Sequence, residues 1–170
     1  MTDVSVVEIR TTGADIEPLL DPLGAEVLRY WNSLRPDVHA IPPKSAFDPM
    51  MIPKALPCLQ IVEKRPEDGE LVYRLVGTRL VRERGYDPTG MLVRDGFYGN
   101  SLERVLEDYE MVLESREPLF DVEIVRRPNQ DPVRDTALFM PMEDDDGVAR
   151  FVLVYSEQSY DFDEIVLGSY

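Results

Sequence analysis

Residues 73–95 read YRLVGTRLVRERGYDPTGMLVRD, and this stretch decides the fold. Leu71, Tyr73 and Leu75 alternate with Val72, Arg74 and Val76, which predicts a half-buried strand with Tyr73 and Leu75 on one face. Gly77 breaks the strand. Thr78 can cap a short helix from Arg79 to Arg84, and Gly85 stands where a helix end wants a left-handed residue. Asp87-Pro88 begins a turn and Gly90 allows a second one.

Upstream of this centre, Leu59–Lys64 reads as a strand, joined to the strand at Leu71 by a hairpin turn at Glu67-Asp68-Gly69. Downstream, Asn100 with Glu103 three residues on predicts a helix start. Leu102, Val105, Leu106, Tyr109, Val112 and Leu113 form its apolar stripe, leaving Glu103, Arg104, Glu107, Asp108, Glu110 and Glu114 to water, and Pro118 stops it. Three further strands follow, marked by Phe120, Val122 and Ile124, by Val133, Ala137 and Phe139, and by Phe151, Leu153 and Tyr155. Short polar turns between them, the acidic one at 143–147 included, favour an antiparallel meander.

Before the first hairpin, Asp21-Pro22 predicts a helix start. Leu23, Val27, Tyr30, Trp31 and Leu34 share one helical stripe, and Pro36 ends the helix. That stripe must bury against its own sheet or against a second copy of the chain, and a homodimer seam is the favoured expectation. The proline-rich stretch 39–57 reads as a collar, with a short helix from Asp48-Pro49 through Leu56. Residues 1–20 read as a flexible arm, or as a strand with a distant partner; 158–170 read as a tail.

The pieces form a set: Tyr30-Trp31, Asp48-Pro49 with Ile52-Pro53 and Leu56-Pro57, Arg74-Leu75-Val76-Gly77-Thr78, and Gly85-Tyr86-Asp87-Pro88-Thr89-Gly90. Together with the element order they resemble the PAS domain family over about Leu59 to Glu157, and the preceding Trp31 to Pro57 is similar to the extension of a subfamily of short bacterial PAS proteins. The resemblance implies an α+β fold: a five-stranded antiparallel sheet cupped by helices, with an N-terminal helical extension. The domain plan is then an arm over 1–20, helix and collar over 21–57, a PAS core over 58–157, and the tail. It also implies a sensory or protein-interaction module without catalytic activity. Pocket candidates under it are Tyr73, Leu75, Arg79, Leu80, Tyr86, Leu92, Tyr109, Ile124 and Phe139.

Composition narrows the chemistry. A formal net charge of -15 over 170 residues disfavours nucleic acid and anionic membranes as partners. The N-terminus shows no basic region followed by an apolar run, and no apolar run approaches membrane length, so a cytoplasmic protein is expected. One histidine, His39, and one cysteine, Cys58, cannot make a zinc site of the usual kind. Asp144–Asp146 lacks the alternation of a calcium loop. Haem is disfavoured because His39 precedes the core. Light-sensing PAS domains resemble one another in a cysteine on the short helix, and Arg79–Arg84 has none, so a cysteinyl-flavin photocycle is disfavoured and Cys58 reads as a small buried residue. No cofactor is expected, though an unidentified small ligand fits the plan.

Arginines 74, 79, 82 and 84 cluster at the centre, where one of them can clamp a carboxylate ligand, salt bridging being the simpler role. Asp121, Glu123 and Asp135 sit on strands. Alternation turns the first two to solvent, while Asp135 falls in step with Val133 and Ala137. A small enzyme of cone-like shape using such a carboxylate is the least favoured reading. A ligand-free dimerising adaptor is the alternative to a sensor.

Overall fold

A computed structural model describes residues 5–160. Its centre is a six-stranded antiparallel sheet: β1 (Ser5–Thr12), β2 (Leu59–Lys64), β3 (Leu71–Val76), β4 (Leu119–Arg126), β5 (Val133–Glu143) and β6 (Ala149–Ser159), in the order β1-β4-β5-β6-β2-β3. Four helices accompany it: α1 (Pro22–Ser33), α2 (Thr78–Arg84), α3 (Val93–Gly96) and α4 (Leu102–Ser115). The five strands expected between Leu59 and Glu157 are present. The sixth, β1, pairs with β4 from Ser5↔Arg126 to Thr12↔Leu119. Residues 5–12 are therefore a strand with a distant partner and not a flexible arm; most of the expected tail lies outside the described residues, and Gln158 and Ser159 belong to β6.

Both faces of the sheet are covered over β2 to β6, whose strands together supply two apolar series, while the edge strand β1 is largely exposed. On one face Phe120, Val122, Ile124, Leu138, Met140, Leu153 and Tyr155 pack with α1 and the collar residues Ile41, Phe47, Ile52 and Ala55. On the other, Tyr73, Leu119, Phe139, Val152 and Val154 pack with Val93 and with Tyr109, Val112 and Leu113 of α4. Period-two alternation thus assigns each side chain to one of two interiors.

Helix α1 closes the first interior. The Asp21 side chain accepts from the Gly24 amide at 3.0 Å, the cap foreseen, and Asp21 also accepts from the Tyr155 hydroxyl at 3.0 Å. Val27 and Trp31 are completely buried in their own chain, and the Trp31 indole donates to the Pro141 carbonyl at 2.9 Å. This corrects the interface assignment for those two residues: the stripe folds back on its own sheet, and Leu23, Tyr30 and Leu34 are only partly covered. The collar helix through Leu56 is also corrected. It is two single turns of 3-10 helix, Pro49–Met51 and Leu56–Cys58, since prolines 53 and 57 interrupt anything longer.

The central stretch folds as a strand, a seven-residue helix and a loop. Gly77, and not Thr78, is the residue before α2, and no side chain caps it. A Cβ at Gly77 would lie 2.4 Å from the carbonyls of Leu56 and Pro57, so close backbone approach fixes glycine there. Gly85 ends the helix at φ 82, as expected. Beyond it the Gly90 amide donates to the Tyr73 carbonyl at 2.7 Å and the Tyr73 amide to the Met91 carbonyl at 3.0 Å, tying the loop to the edge of β3.

Replacing Trp31 with alanine removes a fully buried indole and its hydrogen bond, and should destabilise the domain by about 3 kcal/mol or more. Urea unfolding checks the loss. Sedimentation should show no change in mass, because the side chain packs within its own chain.

Candidate functional site

A β-bulge shapes the site. Val62 pairs with Tyr73 and Ile61 with Leu75, so Arg74 is left without a register partner on β2, though its side chain reaches Glu63 at 2.6 Å, and the face alternation slips at that point. Tyr73 points toward α4, whereas Leu75 packs into the α1 interior. Leu75 is thereby removed from the pocket candidates. Ile124 falls on the α1 face as well.

Between the sheet, α2 and α4 lies a cavity of about 150 Å³. Of the candidates, Tyr73, Leu80, Tyr109 and Phe139 line it. Arg79, Tyr86 and Leu92 do not. Arg79 pairs with Glu83 at 3.2 Å and touches the Cys58 sulfur; the Tyr86 hydroxyl donates to the Gly96 carbonyl at 3.2 Å from a largely exposed ring; Leu92 bridges to Val72.

One end of the cavity is built by Arg84, Gln60, Tyr73 and Tyr109. Arg84 follows Leu80 by one helical turn and donates to the Leu80 carbonyl at 3.2 Å and the Gly96 carbonyl at 3.3 Å. It also reaches the Gln60 amide oxygen at 3.3 Å and the Tyr73 hydroxyl at 3.5 Å, with its guanidinium 5.3 Å from the Tyr73 ring centre. Gln60 in turn donates to the Tyr109 hydroxyl at 3.3 Å. Burial pushes both phenols up from their ordinary pKa. Tyr109 stands edge-on to Phe139, ring centres 5.3 Å apart.

The rest of the lining is largely acidic. Glu83 from α2, Asp108 from α4, Asp121 and Glu123 from β4, Asp135 from β5 and Glu157 from β6 all contribute to it. Asp121 and Glu123 do alternate away from Phe120 and Val122, but that second face is covered by α4, so the expected solvent exposure is corrected: Asp121 is 6% exposed. Asp108 and Arg104, read as water-facing on α4, are buried or nearly so because β1 flanks them. Arg10 of β1 donates to Asp108 at 2.8 Å. Arg104 grips Asp121 with two nitrogens, at 2.9 and 2.6 Å, and reaches Glu8 at 2.9 Å. Asn100, displaced from the cap position by Ser101, donates instead to Glu123 at 3.0 Å.

Burial is the main cause that pushes the Asp108 carboxyl up to about 8, followed by its hydrogen bond with Asp121, while Arg10 acts against both. Glu123 and Asp135 are also raised by burial. Sequence reading missed this cluster because it turns on a strand, β1, whose partner lies over a hundred positions away. The signal present was Asp135 standing in step with apolar neighbours.

The model of the PAS domain family matches residues 21–155, and the chain belongs to that family. Strand β1, which carries Arg10 and Glu8, lies outside the matched range. Among solved structures the chain is similar to a light-oxygen-voltage domain examined with a flavin analogue, at 15% identity over 71% of this chain and 90% of that one, TM-score 0.50. It is also similar to an RNA-binding light-oxygen-voltage receptor, at 15% identity and TM-score 0.48, covering 90% of this chain and 39% of that one. At such identity the likeness is one of fold. No curated protein matches the chain in sequence. No helix among the described residues is long and apolar enough to cross a membrane.

The raised Asp108 pKa gives a signed prediction. The folded state holds a proton that the unfolded chain releases near 3.8, so this contribution to stability is fully present below that pH. It declines as pH rises and is lost once pH passes about 8. Asp108→Asn, which cannot ionise, should flatten that fall when urea midpoints are compared across the range.

Proposed function

We infer that this PAS domain is a sensory module that binds a small molecule in the cavity between the sheet and α4, and signals by contact without chemistry of its own. The carrying observation is the cavity itself. About 150 Å³ of half-open space stays unfilled among charged and hydroxylated side chains between the sheet and α4. A ligand-free adaptor would be expected to close that space with its own residues.

Size limits the ligand. Pockets for drug-sized molecules run from ~300 Å³ upward, which favours a ligand smaller than a flavin. Cys58 is buried in the α1 interior, with no place in the lining, which speaks against a cysteinyl-flavin reaction. Among the described residues no three histidine, cysteine or carboxylate groups are arranged to hold a metal ion. The buried carboxylates are engaged by Arg10, Arg104 and Asn100 in a way that suits binding better than proton abstraction. The net charge of -15 makes nucleic acid and anionic membranes poor partners. A partner protein or a second copy of the chain receives the signal, through a surface other than the buried Val27 and Trp31.

A thermal-shift panel of small polar metabolites tests the reading. A ligand at a hundred times its Kd stabilises by about 2.7 kcal/mol, which should raise Tm by roughly 5–10 °C for a domain of this size. Ala137→Leu, which extends a lining residue into the cavity, should abolish the shift. A flat panel with the unmodified protein, or a shift that survives Ala137→Leu, would overturn it.

A further inference from the structure

The two edges of the sheet are finished differently. At the β3 edge the loop after α2 closes the ladder: the Gly90 amide donates to the Tyr73 carbonyl, the Tyr73 amide donates to the Met91 carbonyl, and Val72 bridges to Leu92. At the β1 edge no strand or bridge follows among the described residues. An antiparallel strand turns alternate backbone groups toward its neighbour and the others away, so half of the amides and carbonyls of β1 face outward. The strand pairs evenly with β4 from Ser5↔Arg126 to Thr12↔Leu119, with no bulge, proline or glycine in it. Bulges and prolines are among the devices that blunt an edge, and a regular edge without them is a template for another strand. Val6 and Val7, on opposite faces of β1, are 44% and 45% exposed.

The sequence of β1 selects the occupant. Glu8 and Arg10 flank Ile9 and turn to the α4 face, where Arg10 donates to Asp108 and Glu8 accepts from Arg104. Both side chains keep part of their surface in solvent. Ile9 turns to the α1 face. In a chain of net charge -15, Ser5–Thr12 holds one acid and one base and is locally neutral, so it suits neither a basic nor an acidic partner as well as it suits itself. Two identical antiparallel strands related by a two-fold axis must keep matching faces together, so each register sets one residue against its own copy. An axis at Glu8 opposes two carboxylates, and an axis at Arg10 opposes two guanidiniums; like charges directly opposite are destabilising. An axis at Ile9 instead sets Glu8 against the partner's Arg10 on both sides of the axis, Val7 against the partner's Thr11, and the two isoleucines against each other. Larger slides shorten the overlap.

We propose that β1 is the seam of a homodimer, in which two copies of the chain pair β1 edge to edge about Ile9 and place both α4 helices on one side of a continuous sheet. Each Arg10 then gains the partner's Glu8, and each Glu8 the partner's Arg10. The charged set behind the cavity wall at Asp108 and Asp121 thereby extends across the seam. Val27 and Trp31 stay inside their own chain.

Sedimentation of the full chain over a range of concentrations tests this, and the unmodified protein should pass reversibly from monomer to dimer. Glu8→Arg and Arg10→Glu each set like charges opposite one another at two points of the seam, and each should raise the dissociation constant about tenfold or more. Mixed in equal amounts, the two variants should form a heterodimer, because opposite charges then face each other again. Both positions also brace α4, so circular dichroism must show each variant folded. Should one not fold, hydrogen exchange of the unmodified chain gives the reading: the β1 amides should exchange more slowly as concentration rises. A monomer at every concentration overturns the proposal, as does a dimer that both variants leave intact or that mixing fails to restore. Protection of the β1 amides in a monomer would put another part of the same chain on the edge and overturn it equally.

Discussion

The five strands β2 to β6 have to satisfy two interiors at once. A sheet with one wet face tolerates polar residues at alternate positions; here α1 with the collar covers one side and α2, α3 and α4 the other, so polar residues on both series need partners. That constraint explains why the acidic residues of β4 are built into a network. Asp121 faces α4 and survives burial because Arg104 forks onto it. Asp108 does so because Arg10 crosses from β1. Breaking one side of such a buried set leaves an uncompensated charge, which costs more than the pair contributes when intact.

The same constraint ties the N-terminal strand to the cavity. β1 pairs with β4 on its outer edge, and Arg10 and Glu8 reach Asp108 and Arg104 of α4. The cavity wall at Asp108 and Asp121 is therefore held by a strand that lies outside the range matched by the family. A molecule bound in the cavity, as proposed, would meet the same carboxylates that seat β1, and so would have a physical path to the edge of the sheet.

Much of the fold was legible because local signals agreed. Asp21-Pro22, the Glu67–Gly69 turn, Gly85 and the alternation of β4 and β6 each pointed to the element that forms. The site was less legible, for three reasons. A bulge at Arg74 reverses the face of Leu75, and period two cannot reveal a slipped register. Alternation tells which residues oppose Phe120 and Val122 but not whether that opposite face is wet. The choice of Arg79 over Arg84 depended on helix rotation: Arg79 turns to Glu83 and Cys58, while Arg84, on the same seven-residue helix, faces Gln60 and Tyr73. Trp31 shows the complementary lesson, since an apolar stripe demands burial without saying in which chain.

The claim on which the rest depends is that the space between the sheet and α4 is kept for a ligand. Native mass spectrometry of gently purified protein addresses it most directly. The account predicts a one-to-one adduct of a small molecule on the unmodified chain, lost in Ala137→Leu. A bare chain mass, or an adduct that persists when the cavity is filled, would contradict it.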